Sequence, residues 1–166
     1  MTGVVGLALV LMIAVSCGTA PPTTTPTPAP TATATIEPVR EVQHVIFTEL
    51  FSGPDQYNGR DVVLTGFYFH GFETIVLSER LEFMGFAEGH LWPRGQMVWI
   101  VGSIPKGVYD QLYQQEMIGP LERYGKLRIK GRFEHGDRYG HAGGFSAQIV
   151  PSEVELLPWS PPLEQQ

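Results

Sequence analysis

Residues 61–70 read Asp-Val-Val-Leu-Thr-Gly-Phe-Tyr-Phe-His, and residues 126–135 read Lys-Leu-Arg-Ile-Lys-Gly-Arg-Phe-Glu-His. Aligning Gly66 on Gly131 also matches Val62 with Leu127, Leu64 with Ile129, Tyr68 with Phe133, His70 with His135 and Gly71 with Gly136. Both stretches alternate with period two, the signature of a strand with one buried face. That alternation places Val62, Leu64, Leu127, Ile129 and Phe133 inside. A glycine in mid-strand leaves a position without a side chain, where a strand can coil sharply or another backbone can come close. Two such strands are expected in a small barrel.

Working outward, Glu73 to Ser78 reads as a second strand and Gln96 to Val101 as a third, with a Gly-, Pro- and His-containing loop between them. Strand four is Gly125 to Glu134, and strand five is Phe145 to Leu156, bulged or interrupted at Pro151. Val42, Val45, Ile46, Glu49 and Leu50 follow a helical period that ends at Ser52-Gly53-Pro54-Asp55, which predicts a helix over residues 40–51. Pro105 opens a second helix through Val108 and Leu112 as far as Glu116, before Gly119-Pro120. The order strand, strand, strand, helix, strand, strand predicts a mainly β domain over residues 39–157. It is that of an OB-like five-stranded Greek-key barrel with a short N-terminal helix and a helix between strands three and four. An SH3-like or other small barrel is the competing architecture, disfavoured by the helix after strand three.

The chain before the domain is of another kind. Of 166 residues, 28 are charged, and none of these lies in residues 1–36. Gly3 to Val15 is an apolar run of 13, the length of a secretory signal core and short of the roughly 20 residues of a spanning helix. Ala14-Val15-Ser16-Cys17 follows it, and Cys17 is the only cysteine, so a disulfide within the chain is excluded. Gly18 to Pro38 holds six of the 14 prolines among threonines and alanines, the composition of an extended tether that reaches about 65 Å as polyproline II. Residues 158–166 form a Pro-rich tail. The net charge of -6 argues against a coat for nucleic acid, which requires an excess of Lys and Arg.

The tetrad ending at Cys17 resembles the lipobox of bacterial lipoproteins, with Ala14 where Leu is commoner and no basic residue ahead of the apolar run. The phrases YNGRDVVLTGFYF (57–69), YGKLRIKGRFEHG (124–136) and YGHAGGF (139–145) resemble bacterial lipoproteins of uncharacterised activity whose mature part is a small OB-like domain. The resemblance implies a signal peptide over residues 1–16, a diacylglyceryl thioether on Cys17 and display on the extracytoplasmic face of the cell membrane or the outer membrane. It implies no activity.

Two features are candidates for binding. The loop joining strands four and five gathers His135, Asp137, Arg138, Tyr139 and His141. His135, Asp137 and His141 are possible metal donors. The spacing of His135 and Tyr139, H-x-x-x-Y, also resembles the haem-attachment motif of OB-fold haem chaperones. On strand four, Lys126, Arg128, Lys130 and Arg132 share one face at about 6.7 Å spacing, a stripe suited to an anionic ligand or to keeping a strand edge from aggregating. Phe67 and Phe69 point outward on strand one, with the N-terminal helix expected to cover them. Hydrolase and phosphate-loop signatures are absent, and Glu88 with His90 is a generic acid–base pair, so no enzyme and no resident cofactor are expected. The expectation is a lipid-anchored module binding an envelope protein, a glycan or a small anionic ligand through strands two and three and the 135–141 loop. A metal- or haem-handling protein and a structural envelope component are the alternatives.

Overall fold

The computed structural model describes residues 42–85, 89–116 and 119–163. Seven strands are present: β1 (Gln43–Val45), β2 (Asp61–His70), β3 (Ile75–Phe83), β4 (Leu91–Ile100), β5 (Tyr113–Gln115), β6 (Glu122–Tyr139) and β7 (Phe145–Leu156). Two short helices accompany them, α1 (Phe47–Ser52) and α2 (Lys106–Tyr109). β2, β3, β4, β7 and β6 pair in that order, and β6 returns to pair with β2, so five strands close into a barrel. Every pairing around the ring is antiparallel except β4 with β7, which run parallel through Trp99–Gln148 and Ile100–Ile149.

The alternation read from the sequence fills this barrel. Val62, Leu64, Leu127, Ile129 and Phe133 are all fully buried, together with Leu77, Val98, Ala147 and Ile149. Each full burial of a Val, Leu, Ile or Phe side chain contributes about 2 kcal/mol of transfer free energy. The two mid-strand glycines are sites of close approach. A Cβ on Gly66 would sit 2.7 Å from the Ser78 carbonyl oxygen, and one on Gly131 would sit 2.4 Å from that of Val150. Opposite Gly131 the ladder shifts register, so that Ser152 is the extra residue of a bulge beside Pro151. Its hydroxyl donates to the Lys130 carbonyl at 3.1 Å.

The helices depart from expectation. Residues 43–45, read as helical, form β1 and pair in parallel with Val62, Val63 and Leu64 of β2. α1 begins only at Phe47, where the Glu49 carboxylate accepts from the Ile46 N–H at 3.3 Å. After Pro105 a single helical turn forms, and residues 113–115 become β5 on the edge of β6. Tertiary partners outweigh helical periodicity there. Tyr113 stacks on Tyr124 with centroids 5.9 Å apart, and the Gln115 amide bonds the Leu91 backbone in both directions, at 3.1 and 2.8 Å, as an extra strand would. β1 and β5 each line the first half of a long barrel strand, β2 or β6, and so cover backbone that its ring neighbour does not reach.

Candidate binding face and barrel rim

β4 is apolar on both faces: Val98 and Ile100 point into the barrel, while Met97 and Trp99 pack outside it. The outside holds a second apolar cluster around Phe69, Val76, Leu91 and Tyr124. α1 does not cover this face, because its Phe47 and Leu50 lie in the interior cluster. The β3–β4 hairpin covers it instead. Its ladder shifts register between Ser78 and Arg80, and Gly95 turns with φ of 78°, a conformation that suits glycine. At that bend the Glu79 carboxylate accepts from the Gln96 N–H at 3.3 Å. The distal half then brings Leu81, Phe83 and Trp92 onto the cluster, with Trp92 edge-on to Phe69 at 5.0 Å. Phe67 is covered by Trp159, 5.2 Å away, and by Lys126, whose ammonium lies 5.9 Å from the ring centroid. The C-terminal tail is therefore docked: the Tyr113 hydroxyl donates to the Trp159 carbonyl at 3.0 Å, and the Leu157 N–H donates to Lys126 at 2.9 Å.

What stays accessible is a rim where the 71–74 and 140–144 turns meet β4. Trp99 and Phe145 pack at 5.4 Å, both half-buried, and Gly140 lies so close that a Cβ would come within 2.6 Å of the Trp99 ring. His141 Nε2 is 3.5 Å from Glu73 Oε1, which joins the two turns. Next to Glu73 in the chain, Phe72 is 77% exposed, the most of any Phe, Tyr or Trp among the described residues. β4 thus meets Gly140 of the predicted loop and the start of β7, through Trp99 and Phe145, which the sequence reading did not single out. The available signal was the strand Met97-Val98-Trp99-Ile100, apolar on both faces.

The sequence-predicted donors do not converge. His135 lies parallel to Phe133, with centroids 6.4 Å apart, and its Nδ1 is 3.7 Å from Asp55, whereas His141 faces Glu73. Asp137 accepts from the Arg138 N–H at 2.7 Å, and Arg138 reaches the Gly143 carbonyl at 3.4 Å. Among the described residues, no three His, Cys, Asp or Glu side chains are placed to share a metal ion. Tyr139 pairs with Phe145 in the ladder, its phenol held above the ordinary range by desolvation and then by Asp137 and Glu134. The cationic stripe is on one outer face, as read, but largely neutralised. Arg128 pairs with Glu155 at 2.7 Å, Arg132 with Glu134 at 3.0 Å, and Lys130 with Glu153. Such exposed pairs contribute little stability, yet they leave the stripe with little net charge to attract an anion. His90 contacts the Glu116 carbonyl oxygen; Glu88 and Cys17 lie outside the described residues. No described helix is long and apolar enough to cross a membrane.

No protein-family model matches the chain. Comparison with curated proteins finds no match either.

Proposed function

We propose that the chain is a lipid-anchored, extracytoplasmic and non-enzymatic binding module of OB type. It is held to the cell membrane or outer membrane through Cys17 and presents the Phe72–Trp99–Phe145 rim to an envelope protein or glycan. The observation that carries the fold reading is the closure order β2-β3-β4-β7-β6 with a parallel β4–β7 contact, the path of a five-stranded Greek-key barrel of that type. The anchor reading rests on the apolar run and Ala14-Val15-Ser16-Cys17 ahead of a Pro- and Thr-rich spacer. The rim is favoured over the stripe because its aromatic rings are partly accessible, while three of the four stripe cations already have carboxylate partners. Nothing in the placement of His135, Asp137 and His141 favours the metal reading.

One experiment tests both halves. A photo-reactive phenylalanine replaces Phe72 or Glu155 in intact cells, with and without Cys17→Ser. Membrane fractionation is expected to find the chain released, or left unprocessed, by Cys17→Ser. Cross-links are expected from position 72 and not from 155. Unchanged mature, membrane-bound chain defeats the anchor; cross-links from 155 alone move the binding face to the stripe.

A further inference from the structure

Beyond the rim, the barrel end at His70 opens into a cavity of about 340 Å³ walled by Tyr68, His70, Ser103, Ile104, Lys106 and Tyr109. None of its lining residues is acidic and Lys106 is cationic, in a chain whose net charge is -6. Three of its polar groups can donate: the Tyr68 hydroxyl, the His70 ring and the Lys106 ammonium, the last paired on its exposed side with Asp110. The Tyr68 phenol is held above its ordinary range by burial and then by the neighbouring Tyr109. The His70 ring lies 5.5 Å from Tyr109, and its Nδ1 is sealed from solvent without a hydrogen-bond partner. Protonating that nitrogen would bury an N–H with no acceptor, a rarer and costlier state than a bare ring nitrogen. Burial, and then the Arg123 guanidinium, which lies over Tyr109 at 4.7 Å, hold the imidazole below its ordinary range. With Nδ1 sealed, Nε2 is the ring nitrogen left to meet a ligand. A mostly apolar cavity with a few convergent polar groups is the usual form of a small-molecule site.

We propose that this cavity binds a small organic acid, its carboxylate accepting from Tyr68, His70 and Lys106 and its flat apolar part lying against Tyr109 and Ile104. A carboxylate offers only acceptors, which matches the donor set, and an aromatic wall favours a planar body. Lys106 also holds Asp110 at 2.5 Å on the exposed surface, so the ligand competes with a solvated pair of small worth.

The probe is benzoate, with benzamide as its neutral counterpart, titrated into the full chain while the histidine ring nitrogens are followed by NMR. Benzoate is expected to shift His70 saturably with Kd on the order of 1 mM, with His135 at the opposite end unmoved. Benzamide is expected to bind at least about tenfold more weakly, and Lys106→Gln and Tyr68→Phe each to weaken benzoate about five- to tenfold. Lys106 is exposed, so its variant keeps the test valid even if Tyr68→Phe loosens the barrel. The proposal fails if benzoate leaves His70 unshifted up to about 50 mM, if benzamide matches it, if His135 responds equally, or if Lys106→Gln binds undiminished. The rim plays no part in this test, so its outcome is separate from that of the cross-linking.

Discussion

The two ends of the barrel carry the same phrase, an aromatic residue, one residue, His and Gly, at Tyr68–Gly71 and at Phe133–Gly136. In both, the ring Nδ1 is buried without a hydrogen-bond partner. Their surroundings then diverge. At His135 the turn before β2 closes in: Asn58 accepts from the His135 N–H at 2.9 Å, Gly59 donates to Phe133 at 2.8 Å, and the Asp55 carboxylate stands 3.7 Å from the ring. At His70 the segment after β4 stands back and leaves a cavity lined by Lys106, whose ammonium holds Asp110 on the outer surface. The repeated strand sets where each ring sits, and residues from outside the repeat decide its chemistry. One end is stitched shut, the other open.

The sharpest way to break this likeness is at its glycines. Gly131→Ala is expected to cost about 3 kcal/mol, because its Cβ would meet the backbone of Val150 at 2.4 Å. Gly66→Ala is expected to cost about 2 kcal/mol, since part of its conflict is with the Phe47 ring at 2.8 Å, which can move. Urea midpoints give both values, and negligible losses would mean that the strands have slack. Next, Asn58→Ala removes the bond that closes the His135 end and is expected to cost about 1 kcal/mol in the same assay. No loss would mean that the stitch is idle.

The smallest effect is one of slope. His70 is depressed in the folded state by burial and then by Arg123, so the unfolded chain takes up its proton first as pH falls. Its contribution is complete above the ordinary value of 6.5 and declines as pH falls from there through the lower folded value. His70→Gln should flatten the fall in urea midpoint as pH drops below 6.5. An unchanged slope would place the acid sensitivity elsewhere.

β2 and β7 were legible to the residue, since Asp61–His70 and Phe145–Leu156 are bounded by turn-forming residues and rich in alternating apolar positions. β6 runs beyond its reading at both ends, because Glu122 to Tyr124 is strand-like only through its partners β2 and β5. The helix read over 105–116 failed where Tyr113 and Gln115 found long-range partners, which no local period encodes. The cations of strand four were placed correctly by parity. Their neutralisation by Glu153 and Glu155 depends on a register that the Ser152 bulge shifts, and a bulge changes register without announcing by how much. The Trp99–Phe145 rim was missed for a related reason: it joins β4 to a hairpin end across a parallel contact between residues far apart in sequence.

β1 also determines how the domain bears a pull. Any tension arriving from the chain before residue 42 reaches the barrel first through three residue pairs, Gln43–Val62, His44–Val63 and Val45–Leu64. Behind them Phe47 and Leu50 are fastened in the interior. Three pairs are few, so β1 is the first contact that such a pull would load, ahead of α1 and the ring of five strands.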